Sequence, residues 1–401
     1  MITQLFIKHF KSIFDVSFKP GMVNVLIGSN GSGKSALLEA IGVLSAAIDE
    51  RVDDSALTYR GVRLGTPALY KSSFKDTNLP LTIELGIKWR DEHGEWNYNV
   101  NLNNPVEKPQ PAWEYHSERL DLDDINIFGR SRATKLHNIN IEIDKYKSLF
   151  SFSKGVGSVK NAETLFNTFS EYAIYSPNTF TLRGVQPDPS QREPLGLQGG
   201  KLSEVVNDML RLETDDERFG NMYLDELMEL IDWVDFMSVG RPTKDMLSPS
   251  VPSTQKVIRF QDRFMKKGRN ELTPYDASEG SLYVLFVLGL AMHASSPKMF
   301  AIDNFDQAMN PRLARKVASL FCEQIIKNNK IAFITTHNPY VLDGLNLSDN
   351  RIRLFTVDRN LNGHTRIKRI TIDDKLLQMG KEGYTLSRLW VMGRLGGVPN
   401  L

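Results

Sequence analysis

The octapeptide Gly28-Ser29-Asn30-Gly31-Ser32-Gly33-Lys34-Ser35 constrains this chain more than any other feature, because it fixes a local fold and a ligand class together. It fits G-x-x-x-x-G-K-[ST] at every position. The glycines let backbone N–H groups curl around a phosphate with no Cβ in the way. Lys34 places a positive charge on β- and γ-phosphates, and the Ser35 hydroxyl is a hard oxygen ligand suited to Mg²⁺. The apolar run Val23-Asn24-Val25-Leu26-Ile27 before the loop reads as a buried strand. After it, helical spacing puts Leu37, Leu38, Ala40, Ile41 and Leu44 on one side. A strand, loop and helix in that order aim the positive end of the helix dipole at the phosphates. All eight loop residues are therefore predicted to bind ATP, with Ser35 also on the metal.

Composition limits what surrounds this loop. Apolar residues make up 41% of the 401 and charged residues 24%, as in an ordinary globular chain. Forty-nine Lys and Arg against 48 Asp and Glu leave a net charge of +1. Any nucleic-acid contact must then come from a local patch. The one cysteine, Cys322, excludes an internal disulfide framework and a Cys-based zinc site, and suits a reducing compartment. The N-terminus lacks the basic start and long apolar core of a signal peptide. The longest apolar stretch, Leu282 to Ala294, is 13 residues, short of the roughly 20 that span a bilayer, and reads as a buried helix. A cytoplasmic protein with no membrane partner is expected.

Along the chain, strand patterns occupy residues 4–7, 14–18 and 23–27, with a turn at Pro20-Gly21. Residues 81–87 and 96–102 flank Asp91-Glu92-His93-Gly94 as a hairpin. Pro177 to Gly200 reads as a loop, followed by helical segments near 201–212 and 221–233. Residues 240–256, with Pro242, Pro249 and Pro252, read as a mobile linker. There is no internal repeat and no heptad run long enough for a coiled coil.

Three further signals follow in a fixed order. Met299-Phe300-Ala301-Ile302-Asp303 is an apolar strand ending in a carboxylate, a suitable Mg²⁺ partner for Ser35, although many buried strands end this way. Asp276-Ala277-Ser278-Glu279-Gly280-Ser281 opens the apolar helix, with Ser278 25 residues before Asp303. It is either a helix-capping sequence or a second anion site at a helix N-terminus. Ile331-Ala332-Phe333-Ile334-Thr335-Thr336-His337 is a β-branched strand ending in His, 34 residues after Asp303, where a lone His is commonly structural.

In combination these motifs resemble those of the ABC ATPase superfamily, on its RecF/SMC/OLD-like branch and not among the transporters. Leu5-Phe6-Ile7-Lys8-His9-Phe10-Lys11-Ser12 looks like that branch's I-x-N-F-K-S opening, and Asp303 to Pro311 like its D-E-P-E-x-x-L-H-P segment. Thr336-His337-Asn338-Pro339 looks like its T-H-S/N-P. The likeness covers about 1–45 and 270–345. It implies an α/β head with a mixed central sheet, an N-terminal antiparallel β subdomain and a helical insertion. The expected division is a first lobe over 1–175, an insertion and linker over 176–256, and a second lobe over 257–401. It also implies Asp303 as the Walker B metal ligand, His337 as a sensor of the γ-phosphate, and Ser278, Glu279 and Gly280 as a signature completing the site of a partner chain. Asn310-Pro311 would lie on the D-loop at the same interface. A homodimer or higher homo-oligomer follows.

One position departs from the family pattern. The catalytic glutamate that follows the Walker B Asp is replaced by Asn304, which can orient a water but cannot take its proton. Asp306 falls on the second acidic position and is the candidate substitute. The expectation is an ATPase whose hydrolysis is slow; a hydrolysis-poor, ATP-loaded scaffold is the alternative. From Ser35 to Ser278 is 243 residues, too long for a transporter-type domain and without heptads. The 64 residues after His337 leave no room for an OLD-type nuclease domain. The resemblance thus points to a standalone AAA-family ATPase that regulates a separately encoded effector, as in bacterial anti-phage defence, or DNA, as in repair and recombination. Three basic clusters, Lys266-Lys267-Gly268-Arg269, Arg366-Ile367-Lys368-Arg369 and Arg130-Ser131-Arg132, are either solvated faces or contacts to duplex DNA lying across the dimer. His93, His116 and His137 lack metal-ligand spacing. The stretch Leu389 to Val398 reads as packed on the core, with a partner contact as the alternative.

Overall fold

In the computed structural model the described residues are 1–130, 134–135, 144–153, 157–212, 217–242, 246 and 256–397. His137, Ser131, Arg132 and most of the 240–256 linker lie outside them. The centre is a six-stranded mixed sheet in the order Thr365–Ile370, Ile352–Arg359, Val23–Ile27, Ile331–Thr336, Met299–Ile302, Ile174–Tyr175. All neighbours are parallel except the first pair. A seven-stranded antiparallel sheet, opened by Ile2–Phe10 and Ile13–Phe18 and continued from Ile83, forms a second layer. This is the α/β architecture expected, with no long helix pair among the described residues.

Alternation along the central strands divides the core in two. Val23, Val25, Ile27, Phe300 and Ile302 face a core shared with the buried helix Glu279–Met292. Leu26, Met299 and Ala301 face a second core with the antiparallel sheet. Between the sheets runs the helix Lys34–Asp49, and here the one-sided expectation fails. Residues Ala36 through Ile48 are all buried, because this helix has β layers or short helices on every side. Its small residues Ala40, Gly42, Ala46 and Ala47 let those neighbours approach. At Gly42 a Cβ would lie 2.5 Å from the Val62 side chain.

The hairpin predicted around residue 91 is present: Ile83–Asp91 pairs with Gly94–Asn103, with Trp89 opposite Trp96. Other expectations shorten. The helix expected over 221–233 is only Leu224–Met228, since Met222–Tyr223 pairs as a strand with Arg218–Phe219 and Val234 opens another strand. The helix expected over 201–212 ends at Met209. Residues 177–200 are mostly loop, with a turn of helix at Thr179–Leu182. The Asp188 carboxylate holds this loop by accepting from Gln198 N at 2.8 Å and Gly200 N at 3.1 Å. Leu195, Leu197, Leu202 and Val205 enter the same core as the helix Glu279–Met292, so this region is built into the body of the fold.

The basic clusters part company. Arg130 is buried and pairs with the buried Glu118 at 3.1 Å, so it is a structural charge. Arg366 pairs with Asp358, and Arg369 donates to Asn350. Cys322 is buried in the helix Pro311–Lys327, and burial pushes its thiol up to about 12. Leu389 and Trp390 pack inward, while Val391 and Met392 are exposed. Among the described residues no helix is long and apolar enough to cross a membrane.

Candidate nucleotide site

Parallel strands deliver their carboxyl ends to one edge, where α/β sheets bind ligands. Ile27, Ile302 and Thr336 end there side by side, and Gly28, Asp303 and His337 are the residues that follow. Three motifs far apart in sequence are thereby brought to one place. At Gly28 a Cβ would lie 2.1 Å from the Val357 carbonyl. At Gly33, with φ +111°, it would meet the Thr365 hydroxyl at 2.3 Å. Neither position accepts a side chain.

The Lys34 ammonium donates to the carbonyls of Gly28 at 2.8 Å and Ser29 at 3.0 Å. Burial lowers it to about 8, against the pull of Asp303. Ser35 donates its hydroxyl to Asp303 Oδ2 at 3.0 Å, and Thr335 donates to Asp303 Oδ1 at 2.5 Å. The Thr335 oxygen in turn accepts from Asn304 N at 2.9 Å. Asn304 has φ +58°, a left-handed conformation that Asn tolerates better than most residues. His337 is held below its ordinary value, first by desolvation and then by Lys34, with Asp306 and Asp303 opposing.

Lys34, Ser35, Asp303, Asn304 and His337 line a cavity of about 390 Å³ with Asn30 to Gly33 of the loop, together with groups that the motifs did not nominate: Lys11, Ser12, Arg63 and Arg359. Lys11 and Arg63 are tied to the buried Glu39, at 2.5 and 2.6 Å. Burial alone would raise the Glu39 carboxyl, but its bonds and charges from Arg63 and Lys11 outweigh that and hold it low. Lys11 and Ser12 belong to the segment Leu5 to Ser12, whose resemblance implied no role for them. Arg63, Arg359 and the hydroxyl of Thr335 carried no local signal.

The wall fits a polyphosphate with its metal. Four cations, Lys11, Lys34, Arg63 and Arg359, face one carboxylate, Asp303. The Ser32 hydroxyl is buried within the loop with no hydrogen-bond partner among the described residues. Among the described residues no cluster of three His, Cys, Asp or Glu side chains is set to hold a metal. A Mg²⁺ here would take Ser35 and Asp303, with phosphate oxygens and water completing its shell. Asp306 does not line the cavity, although its charge reaches His337.

Ser278, Glu279 and Gly280 are absent from this wall. Ser278 stands at the N-terminus of the helix Glu279–Met292 with no side-chain capping bond, and Glu279 bonds to the Thr179 hydroxyl. Gly280 packs close to the Ala308 carbonyl, where a Cβ would lie 3.0 Å away. Asn310 caps the next helix, accepting from Leu313 N at 3.0 Å.

A family described as "AAA domain, putative AbiEii toxin, Type IV TA system" matches residues 23–343, well over half of the chain. The chain belongs to this family. It is an ABC-type ATPase of the RecF/SMC kind, and nucleotide and Mg²⁺ use is general to that group. Two curated relatives, each a DNA replication and repair protein RecF, come from Limosilactobacillus reuteri strain DSM 20016 and subsp. reuteri strain JCM 1112. Each is 28% identical over 160 residues, which is 39% of this chain and 40% of the relative. The chain thus aligns with about two fifths of the length of these relatives. Among solved structures, an Smc head bound to the C-winged helix domain of ScpA has TM-score 0.51 at 12% identity, covering 94% of this chain and 99% of that one. An Smc head with an extended coiled coil, bound to a ScpA C-terminal domain from Pyrococcus furiosus, has TM-score 0.51 at 11% identity, covering 95% and 98%. The SMC head of Thermotoga maritima aligns at TM-score 0.46 and 14% identity, over 92% and 99%. The likeness to the two Smc heads at TM-score 0.51 is, at these identities, one of fold.

Proposed function

We propose that this AAA-family ATPase closes as a homodimer around Mg-ATP, hydrolyses it slowly, and uses the cycle to regulate a separately encoded effector. The observation that carries the proposal is the incomplete wall of the cavity. Asn30 to Ser35 of the phosphate loop, Asp303, Asn304 and His337 line it, while the signature Ser278-Glu279-Gly280 lies off it. A second copy supplying its signature would complete the wall symmetrically. In this reading Lys34 and the loop N–H groups bind the phosphates, and Lys11, Arg63 and Arg359 add charge around them. Bound Mg²⁺ would neutralise charge on the β- and γ-phosphates. Ser35 and Asp303 hold their places for it through their mutual bond. Asn304 orients the attacking water without taking its proton, and His337, whose ring is held below its ordinary value by desolvation and Lys34 before nucleotide binds, senses the γ-phosphate. Asp306, outside the cavity wall, is the remaining candidate for the proton. The division into lobes over 1–175 and 257–401 around 176–256 belongs to the same proposal, as does a role in anti-phage defence.

The likeness to RecF supports a second reading, in which the partner is DNA and the setting is repair or recombination. Phosphate release by the purified chain, with Lys34→Ala as control and with light scattering in the presence and absence of Mg-ATP, tests the common core of both. ATP-dependent dimers and turnover that both vanish in Lys34→Ala are expected. A monomer at all ATP concentrations would overturn the composite site. Absence of turnover with the partner and DNA supplied would leave the ATP-loaded scaffold.

A further inference from the structure

The cluster Lys266-Lys267-Gly268-Arg269 stands clear of the fold, whereas Arg130 is buried against Glu118 and Arg366 and Arg369 are bonded to Asp358 and Asn350. Lys266, Lys267 and Arg269 are exposed, and none makes an ion pair or side-chain hydrogen bond among the described residues. They sit on the connection between the strands Val257–Asp262 and Glu271–Leu272, immediately after two apolar side chains left in water. Phe264 is 79% exposed and Met265 49%. The ring face of Phe264 and the Met265 thioether are thus open to a partner beside the three cations.

The connection is also held in shape. The Asp262 carboxylate accepts from Phe264 N at 2.7 Å and Met265 N at 3.1 Å. Arg269 N donates to the Lys266 carbonyl at 2.9 Å. Gly268, at φ +86°, turns the chain where a Cβ would be strained, and its N–H donates to Asn270 Oδ1 at 3.3 Å. Asp262 N donates to the Asn270 carbonyl at 2.7 Å, closing the base. The result is a fixed tip carrying one ring, one thioether and three cations unpaired among the described residues.

We propose that the tip Phe264–Arg269 is a contact site for a single-stranded polynucleotide, with Lys266, Lys267 and Arg269 on phosphates and the Phe264 ring stacked on an unpaired base. Charge complementarity selects a polyanion, and the ring selects one with exposed base faces. A duplex keeps those faces inside its stack, whereas single strands combine phosphate neutralisation with aromatic stacking on neighbouring residues. An anionic membrane fits less well. Two apolar side chains offer less hydrocarbon than one myristoyl chain, which alone holds a membrane only marginally. The tip shares no residue with the phosphate cavity, so the inference goes beyond the ATP cycle proposed above.

The test is fluorescence anisotropy with a labelled oligothymidylate of about 20 nucleotides across a salt series, using the full chain. Lys266→Glu/Lys267→Glu/Arg269→Glu should weaken binding by about tenfold or more and reduce the slope of log affinity on log salt by about 2. Phe264→Ala should weaken binding about fivefold or more, and leave the slope unchanged. Both variants should keep the wild-type thermal midpoint and basal ATP turnover, because the altered side chains are exposed and remote from the nucleotide. The proposal is overturned if the wild type does not bind the oligonucleotide at low salt, or if the variants bind it equally well. It is also overturned if a duplex of the same length binds as tightly, or if phosphatidylserine vesicles are bound and the oligonucleotide is not. A wild type that binds the oligonucleotide but never hydrolyses ATP would defeat the ATPase reading and leave this one standing.

Discussion

Asn304→Glu is the substitution that asks most of the proposed mechanism. Asn304 lines the phosphate cavity next to Asp303, and its backbone N–H is fixed by donating to the Thr335 hydroxyl at 2.9 Å. In the proposed mechanism a side chain grown from this Cα starts where an attacking water would need its base. A positioned general base contributes roughly 100- to 10,000-fold. Two features reduce that gain. The left-handed backbone at φ +58° suits Asn better than Glu, at a cost of about 1 kcal/mol. Spread over the unfolding entropy of 401 residues, this lowers Tm by only about 1 °C. The adjacent Asp303 carboxylate also repels a second negative charge unless the metal is present. A net gain of about tenfold to a hundredfold in turnover at saturating Mg-ATP is expected. The assay is steady-state phosphate release, with ATP affinity and thermal midpoint measured on the same preparation. An Asn304→Glu variant that folds, binds ATP as the wild type does and turns over no faster would refute the placing of residue 304 at the catalytic position.

Four other outcomes follow from the same geometry. Lys34→Ala should abolish measurable ATP binding in calorimetry; in the native protein, ATP binding near pH 8 should take up about half a proton, because phosphate raises an ammonium held at about 8. Affinity should accordingly fall as pH rises through that value, and a binding enthalpy independent of buffer ionisation at pH 8 would contradict it. Ser278→Arg should leave ATP binding by the monomer intact and block ATP-dependent dimers in light scattering, since its bulk would sit in the interface. Glu39→Gln should release Lys11 and Arg63 together, costing about 1–3 kcal/mol of stability in denaturant and raising KM for ATP. The native Glu39 carboxyl is held below its unfolded value, so its contribution is full above about 4.5 and is lost as pH falls through the lower folded value; an acid titration in which Glu39→Gln loses stability in parallel with the wild type would contradict that. Lys330→Ala should cost about 2–4 kcal/mol by urea unfolding, because its buried amino group donates to the Leu290 and His293 carbonyls at the end of the helix Glu279–Met292, at 3.2 and 2.7 Å.

What the sequence alone determined is whatever a contiguous segment can encode. Gly28 to Ser35 states its conformation and its ligand because each residue type is required by neighbours a few positions away. The strands at Val23–Ile27 and Met299–Ile302 and the hairpin around residue 91 are legible because alternation and turn chemistry are local. The spacing of Asp303, His337 and Ser278 pointed to a family, and the fold followed from it. Local pattern did not determine which faces would be covered. The helix Lys34–Asp49 has an apparent solvent side in sequence that two sheets bury. Met222–Tyr223 stands in an expected helix and becomes a strand because Arg218–Phe219 lies beside it. The site shows the same limit. Ser35 meets Asp303 across 268 residues, and Glu39 draws Lys11 and Arg63 to the cavity from opposite sides of its own helix in the sequence. Arg130 and Lys266 look alike as basic residues, yet one is buried against Glu118 and the other stands in water. A charge takes its role from the dielectric and the partners around it, and those are assembled only when distant strands bring their ends to one edge of the sheet.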